Sequence, residues 1–181
     1  MTSFGASPSH QSAAQPDIVY LNPTPVVVAL VPVRAINPSS AALEIGLLTI
    51  ERGIEPQKGH LALPGGYLEY EDWRAGLLRE LLEETNIKIN DVSCVTLTDA
   101  VSIDQNRKLV LFGSVPPIEE TLLASFVANR ECPRFEVIFE ARELAFATHT
   151  AMARKFFESV RETEPVGTLS ALQVPRIGER Q

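Results

Sequence analysis

The stretch GGYLEYEDWRAGLLRELLEETNI, residues 65–87, predicts a glycine-rich turn followed by one amphipathic helix from about Asp72 to Glu84. Leucines three and four positions apart form an apolar stripe, which predicts that the helix packs against a sheet. The stripe consists of Leu77, Leu78, Leu81 and Leu82. Asp72 suits the N-cap, and Asn86 can adopt the left-handed conformation often found just past a helix end. The sequence therefore predicts a helix with defined ends and one buried face.

Three glutamates, Glu80, Glu83 and Glu84, lie together on another face of this helix. Like charges at these spacings cost roughly a few tenths of a kcal/mol, and carboxylates near a helix C-terminus oppose its dipole. Mg²⁺ prefers oxygen ligands and is often held by carboxylates together with substrate phosphates. A solvated acidic face is the alternative, but the preceding Pro64-Gly65-Gly66 lets backbone approach a ligand closely. The pattern favours a cation site, with Arg79 placed to pair with Glu83.

Residues 66–87 resemble the box of the Nudix family, G-x5-E-x7-R-E-U-x-E-E-x-G-U, in which U is a bulky aliphatic residue. The segment RELLEET matches R-E-U-x-E-E-x, and Ile87 matches the final U. Two features depart from the box. Only four residues separate Gly66 from Glu71, so the loop is one residue short, and Asn86 stands where the family has glycine. The short loop leaves the role of Glu71 open.

The resemblance implies the Nudix α/β/α sandwich, with a mixed sheet between helices. It also implies a hydrolase that depends on Mg²⁺ or Mn²⁺ and cuts the diphosphate bond of a nucleoside diphosphate linked to another group. Glu80, Glu83 and Glu84 are the implied metal ligands, with Arg79 as their orienting partner. The Gly66 carbonyl is a further implied ligand. Attack of water on phosphorus, in line with the leaving oxygen, is the chemistry that such a site would position.

Nudix enzymes often draw one more carboxylate from a loop before the last strand, as a ligand or a base. Glu131 is the first choice for this catalytic role, and Glu136, Glu119 and Glu120 stay open as alternatives. Each of the four could equally be an ordinary loop glutamate, because mechanism alone does not rank them before the geometry is known.

Substrate contacts are predicted on loops beside the box. The segment from Arg52 to Gly66 resembles that of members acting on ADP-ribose or related dinucleotides, and Arg52 is its candidate substrate-binding residue. Tyr70 is a second candidate, because its ring could stack on a nucleobase. Local packing is the alternative for Tyr70 and Trp73, since burial is the usual role of aromatic side chains. His149, at the start of the last helix, is interpreted as a capping or packing residue.

Two other functions remain open at this point. Hydrolysis of a nucleoside triphosphate is a second enzymatic interpretation within the same fold. A non-catalytic module that senses a nucleotide belongs to another class, since a fold alone does not establish activity. Intact box glutamates favour the enzyme over the sensor.

The chain of 181 residues predicts one domain over residues 19–161, with tails at 1–18 and 162–181. Apolar and β-branched runs predict the strands, and helical spacing predicts a terminal helix. The predicted strands are Pro25–Val33, Leu43–Glu51, Leu61–Leu63, Val92–Val101, Lys108–Val115 and Phe135–Phe139; the terminal helix is Thr148–Val160, and a turn is predicted at Asp104–Asn106. Strands before and after a central helix indicate a mixed sheet packed between helices.

The net charge of −7 and a pI near 5.0 disfavour an extended nucleic-acid interface. The longest apolar run is shorter than a membrane span, and the N-terminus lacks the features of a secretory signal. Cys94 and Cys132 are too few for a disulfide framework and lack the clustered spacing of a zinc site. We expect a cytoplasmic protein acting on a small nucleotide, with no membrane partner and a homodimer as one open assembly.

Overall fold

The computed structural model describes residues 22–103 and 107–163, which form nine strands and two α-helices. The strands are β1 (Thr24–Leu30), β2 (Pro32–Ile36), β3 (Leu43–Glu51), β4 (Leu61–Ala62), β5 (Gly65–Tyr67), β6 (Thr96–Ile103), β7 (Lys108–Ser114), β8 (Ile118–Glu119) and β9 (Phe135–Ile138); the helices are α1 (Trp73–Thr85) and α2 (Ala147–Thr163). The predicted tail at 1–18, the turn at 104–106 and residues 164–181 lie outside the described residues. The division at residues 19–161 stays a prediction.

Two mixed sheets form the centre of the molecule. One has the strand order β5-β1-β7-β6, and the other has the order β4-β3-β2-β8 with β9 also paired to β3. The pairs β1–β7 and β2–β8 are parallel, and the remaining pairs are antiparallel. The prediction of one strand over Pro25–Val33 was wrong, because the run divides at Val31. Pro32 has no N–H to continue the first ladder, and the chain passes there into the second sheet.

The side chains of β1 alternate between two cores. Val27 and Ala29 pack with Leu77 of α1, whereas Val28 and Leu30 pack in a second cluster with residues of α2. The α2 residues in that second cluster include Met152, Ala153 and Phe157. The helices therefore cover opposite faces of the sheets, which confirms the predicted α/β/α arrangement. The apolar run of β1 has no polar side because both faces are covered.

Several local predictions need correction. Leu82 is 38% exposed, and Thr85 is buried in its place; the Thr85 hydroxyl donates to the Leu81 carbonyl at 2.5 Å. The predicted strand from Val92 begins as a single 3₁₀ turn, because the Asp91 carboxylate accepts from the Ser93 N–H and caps it. The short strands β5 and β8 were not predicted. Among the described helices, none is long and apolar enough to span a membrane.

The side chain of His149 is buried in the core, which agrees with the interpretation of His149 as a packing residue. Its ring meets Phe112 and Phe146 edge to face, with centroids 5.9 and 5.0 Å away. The imidazole Nδ1 accepts a hydrogen bond from the Leu63 N–H at 3.1 Å. Burial, together with the charge of Arg52, lowers the pKa of His149 to about 3. A neutral imidazole is therefore part of the folded structure.

We expect acid to destabilise the protein through His149. The unfolded chain binds a proton near pH 6.5 and the folded chain only near pH 3, so stability falls as pH drops through this window. The loss is about 2 kcal/mol between pH 6.5 and pH 5. Urea unfolding at several pH values measures it. The free energy of unfolding of His149→Gln relative to wild type should therefore rise by this amount from pH 6.5 to pH 5, whereas that of His60→Gln, at an exposed histidine, should stay constant relative to wild type. Equal trends in both variants would refute the assignment.

Candidate functional site

Capping residues fix both ends of α1, as the sequence predicts. The Asp72 carboxylate accepts a hydrogen bond from the Arg74 N–H at 2.9 Å. Asn86 adopts a left-handed conformation with φ of 58°, and its N–H donates to the Leu82 carbonyl at 2.8 Å. With the ends set, the buried leucines determine which way the glutamates of the helix face.

The box glutamates line one cleft together with a loop that is distant in sequence. The cleft has a volume of about 360 Å³. Its lining residues are Glu80, Glu83, Glu84, Asn129, Arg130 and Glu131. We call this space the glutamate cleft. The lining contains four carboxylates and one arginine, Arg130. This excess of negative charge favours a bound cation.

Arg79 connects the residues that surround this cleft. Its guanidinium donates to Glu71 at 2.8 and 3.0 Å, to Glu80 at 2.8 Å and to Glu83 at 3.2 Å. It also donates to the Tyr67 carbonyl at 3.1 Å. Hydrogen bonding to Glu71, followed by the influence of Glu80, raises the pKa of Arg79 above its ordinary value. The short loop therefore still brings Glu71 to Arg79, and the predicted pairing with Glu83 is one of several.

Glu84 carries the most perturbed carboxylate of the cluster. Its Oε2 accepts a hydrogen bond from the Gly65 N–H at 2.8 Å. The carboxylate is partly accessible through the cleft, but protein surrounds it. This desolvation, aided by the charges of Glu80 and Glu131, raises the pKa of Glu84 to about 8. A cation in the cleft would reverse that effect by stabilising the ionised form.

Glu80 lies against the predicted backbone ligand. A Cβ placed on Gly66 would come within 2.4 Å of Glu80 Oε2, so this carboxylate occupies space that only glycine leaves open. Burial raises the pKa of Glu80, although the Arg79 guanidinium counteracts the shift. The structure therefore places Gly66 beside the glutamates. The orientation of its carbonyl toward an ion stays a prediction.

Of the four loop glutamates considered, Glu131 is the one that lines the glutamate cleft in the described structure. Glu136 forms ion pairs with Arg142 and Arg134. Glu119 pairs with Arg34 at 2.9 Å, and Glu120 lies in the first turn of a 3₁₀ helix, Glu120–Ser125. The catalytic role of Glu131 stays a prediction.

The two candidate substrate-binding residues lie in different surroundings. The Arg52 guanidinium lies 5.0 Å from the Phe146 ring centroid, its Nε donates to the Pro56 carbonyl at 2.7 Å, and its charge acts on Glu84. Tyr70 is fully exposed and is absent from the residues that line the glutamate cleft. Trp73 packs against the core, which agrees with local packing. The structure therefore brings Arg52, but not Tyr70, toward the glutamates.

Asn129 is a residue of the site that the sequence did not predict. Its side-chain oxygen accepts from the N–H groups of Glu131 and Cys132 at 2.9 and 2.8 Å, and its amide nitrogen donates to the Glu83 carbonyl at 3.1 Å. This one side chain shapes the loop and fastens it to α1. An asparagine that turns its own loop is a recognisable local signal, but the bond to Glu83 spans 46 positions and leaves no trace in the sequence.

The donor set fits a hard divalent cation that shares its coordination with other ligands. Within residues 22–103 and 107–163, no three aspartate, glutamate, histidine or cysteine side chains stand close enough to enclose an ion by themselves. Mg²⁺ usually keeps several waters and takes only one or two carboxylates besides substrate phosphates. Carboxylate oxygens facing a cleft open to water and phosphate meet this requirement.

Comparison with known proteins identifies a family for this chain. The NUDIX domain model matches residues 28–160. A comparison with curated proteins returns no match. Among solved structures, a MutT/nudix family protein from Enterococcus faecalis is 21% identical, with a TM-score of 0.57, over 71% of this chain and 48% of that chain.

Two further solved structures are of proteins with a nucleotide-related activity or ligand. A bifunctional NMN adenylyltransferase/ADP ribose pyrophosphatase from Francisella tularensis is 24% identical, with a TM-score of 0.52, over 67% of this chain and 35% of that chain. The NUDIX domain of Shewanella oneidensis NrtR, complexed with ADP ribose, is 13% identical, with a TM-score of 0.52, over 82% of this chain and 92% of that chain. NrtR was also solved with a 27mer DNA. The chain spans half or less of the Enterococcus and Francisella proteins, and likeness at these identities concerns the fold.

Proposed function

Because this chain belongs to the Nudix family, we propose that it is a metal-dependent pyrophosphohydrolase. Its substrate is a nucleoside diphosphate linked to another group, with ADP-ribose or a related dinucleotide favoured. One observation carries the proposal: three glutamates of α1 and Glu131 of a distant loop line the same cleft. The descriptions of two structural neighbours, an ADP ribose pyrophosphatase and a domain complexed with ADP ribose, support the choice of substrate.

Glu80, Glu83 and Glu84 would share Mg²⁺ or Mn²⁺ with water and substrate phosphate, with the Gly66 carbonyl as a further ligand. A bound ion would offset phosphate charge and lower the pKa of an attacking water. Arg79 keeps Glu80 and Glu83 in place through direct hydrogen bonds. Such positioning matters because most of the catalysis of phosphoryl transfer comes from orientation and electrostatics.

Glu131 is the proposed general base. It would accept a proton as water forms a bond to one phosphorus and the bridging P–O bond breaks, and the electron pair would leave on the second phosphate. For ADP-ribose the products are AMP and ribose 5-phosphate. Arg52 would contact the substrate beside the glutamates, and Tyr70 would contact a part of it farther from the reacting atoms.

We expect Asn129→Ala to lower kcat/KM by roughly 10- to 100-fold with little loss of stability, the range seen for residues that orient a metal site. The variant releases both the turn that presents Glu131 and the tie to α1. Asn129→Asp keeps the acceptor for the turn and loses the donor to Glu83. Initial rates at saturating metal measure the effect. Activity within twofold of wild type in both variants would show that Asn129 does not position the site.

A substrate panel tests the proposed function directly. The chain would be incubated with Mg²⁺ or Mn²⁺ and ADP-ribose, NADH, diadenosine polyphosphates, nucleotide sugars or nucleoside triphosphates, and the products would be identified. Glu83→Gln combined with Glu84→Gln is the inactive control. Metal-dependent release of two phosphate monoesters from one compound supports the proposal. Cleavage of triphosphates alone would favour the alternative enzyme.

The second candidate function is a nucleotide sensor without turnover. NrtR, a structural neighbour, was solved both with ADP ribose and with DNA. The present chain has the glutamates that a catalyst needs, and its net charge of −7 opposes binding to DNA. Tight metal-dependent binding of ADP-ribose, with no turnover of any compound in the panel, would establish the sensor and overturn the hydrolase.

The expected cytoplasmic location and the homodimer remain predictions. Cys94 and Cys132 are both free thiols, which agrees with a reducing compartment. Fractionation of cells and the molar mass in solution would test the two predictions separately.

A further inference from the structure

A second and larger cavity adjoins the glutamate cleft, and we call it the distal cleft. Its volume of about 610 Å³ lies within the roughly 300–1,000 Å³ typical of small-molecule sites. It is lined by Gly53, Ile54, Glu55, Lys58, Asn129, Arg130 and Pro133. Asn129 and Arg130 line both spaces. The two clefts therefore lie side by side, within reach of one molecule that is bound through a diphosphate in the first.

Backbone hydrogen bonds form the walls of the distal cleft before any ligand binds. The loop at residues 52–60 is closed by the Arg52 N–H to the His60 carbonyl at 2.9 Å and by the Gly59 N–H to the Arg52 carbonyl at 2.8 Å. The Gly53 N–H donates to the Glu131 carbonyl at 2.7 Å, which joins this loop to the one that carries Arg130. A preformed cavity loses less entropy on binding than one that must be ordered.

The two clefts differ in charge. The glutamate cleft contains four carboxylates and Arg130. The distal cleft contains Lys58 and Arg130 against the single carboxylate of Glu55, in a chain whose net charge is −7. Ile54 and Pro133 add apolar surface suited to a sugar or a ring. Arginine and lysine are the side chains that proteins commonly use to bind phosphate.

We propose that the distal cleft binds the half of the substrate beyond the scissile diphosphate, and that Lys58 and Arg130 select a half bearing an additional phosphate monoester. This inference rests on the proposed hydrolase function and adds a substrate class to it. The metal in the glutamate cleft would hold the diphosphate. The two cations would hold the extra phosphate, which the acidic remainder of the protein would otherwise repel.

The test compares ADP-ribose with 2′-phospho-ADP-ribose, which differ by one phosphate. We expect wild type to have a KM for the phosphorylated compound roughly tenfold lower, the effect of one charge-assisted contact. Lys58→Ala should remove this preference, because it should raise the KM for the phosphorylated compound more than the KM for ADP-ribose. Arg130→Lys should retain it better than Arg130→Ala. Lys88→Ala, an exposed lysine outside both clefts, is the matched control.

The outcomes separate the two proposals. Equal KM values for the two compounds in wild type, or a preference that survives Lys58→Ala and Arg130→Ala, would overturn the assignment of the distal cleft while leaving the hydrolase intact. Cleavage of neither compound would count against the proposed substrate. Calorimetric binding of both compounds to wild type in Ca²⁺ would then decide on the distal cleft alone, because equal affinities would contradict it.

Discussion

Glu84→Gln is expected to reduce kcat/KM roughly a hundredfold or more while leaving the fold intact. Glutamine has nearly the same shape and can still accept the Gly65 N–H at the position where Glu84 accepts it at 2.8 Å. It cannot contribute a negative charge to a cation, and the metal would supply several kcal/mol of the stabilisation of charge in the transition state. Initial rates across a range of Mg²⁺ concentrations measure the loss.

The same substitution should stabilise the metal-free protein. The folded pKa of Glu84 is raised to about 8, so between the unfolded value of 4.5 and pH 8 the folded chain binds more protons and stability falls as pH rises. Replacing the group removes this dependence. The gain is roughly 2 kcal/mol at pH 7, allowing for solvent in the cleft, and it shrinks toward pH 5. Urea unfolding in EDTA measures it.

A matched substitution distinguishes the site from general acidity. Glu158→Gln removes a carboxylate from the exposed face of α2 and should change neither activity nor the pH dependence of stability. Adding Mg²⁺ should raise the unfolding midpoint of wild type more than that of Glu84→Gln, because a ligand of the native state stabilises it by mass action. Equal shifts would show that Glu84 does not bind the ion.

Gly65→Ala is expected to destabilise the protein by roughly 3 kcal/mol or more. Gly65 has a φ of 155°, and a Cβ there would lie 2.2 Å from the Val27 carbonyl oxygen and 2.8 Å from the Val28 Cα. Both contacts are with the backbone of β1, the strand at the centre of the molecule, which cannot move aside as a flexible side chain would. Urea or thermal unfolding measures the loss.

Gly59→Ala is the control for this prediction. Gly59 also has a positive φ, 83°, but no atom lies within 4 Å of the position its Cβ would take. Backbone conformation alone should then cost about 1 kcal/mol. The difference between the variants isolates the clash with β1. If Gly65→Ala lost no more unfolding free energy than Gly59→Ala, β5 would not approach β1 as closely as described.

The local features of α1 could be predicted because short-range physics determines them. Asp72 caps a helix through its own neighbours, and Asn86 is among the few residues that tolerate a left-handed backbone. The spacing of the glutamates places them on one face whatever the rest of the fold. The extent of the buried stripe does not follow from the spacing alone, because Leu82 lies at its border and the surrounding packing leaves it 38% exposed.

The remaining parts of the site depend on contacts between distant segments. The sequence indicates a pairing of Arg79 with Glu83. In the structure, the loop before α1 brings Glu71 close enough to accept two hydrogen bonds from the Arg79 guanidinium. Glu131 and Asn129 reach α1 only through the path of a loop with no periodicity. The distal cleft arises where that loop meets residues 52–60, and neither segment reveals it alone.

The turn between β4 and β5 has its amides bonded by side chains from opposite sides of the molecule. The Leu63 N–H is bonded by His149 of α2, and the Gly65 N–H, two residues later, is bonded by Glu84 of α1. Amide hydrogen exchange at these two positions would therefore report separately on the two ionisable groups. The Leu63 amide would report on protonation of His149 in acid, and the Gly65 amide would report on binding of a cation at Glu84.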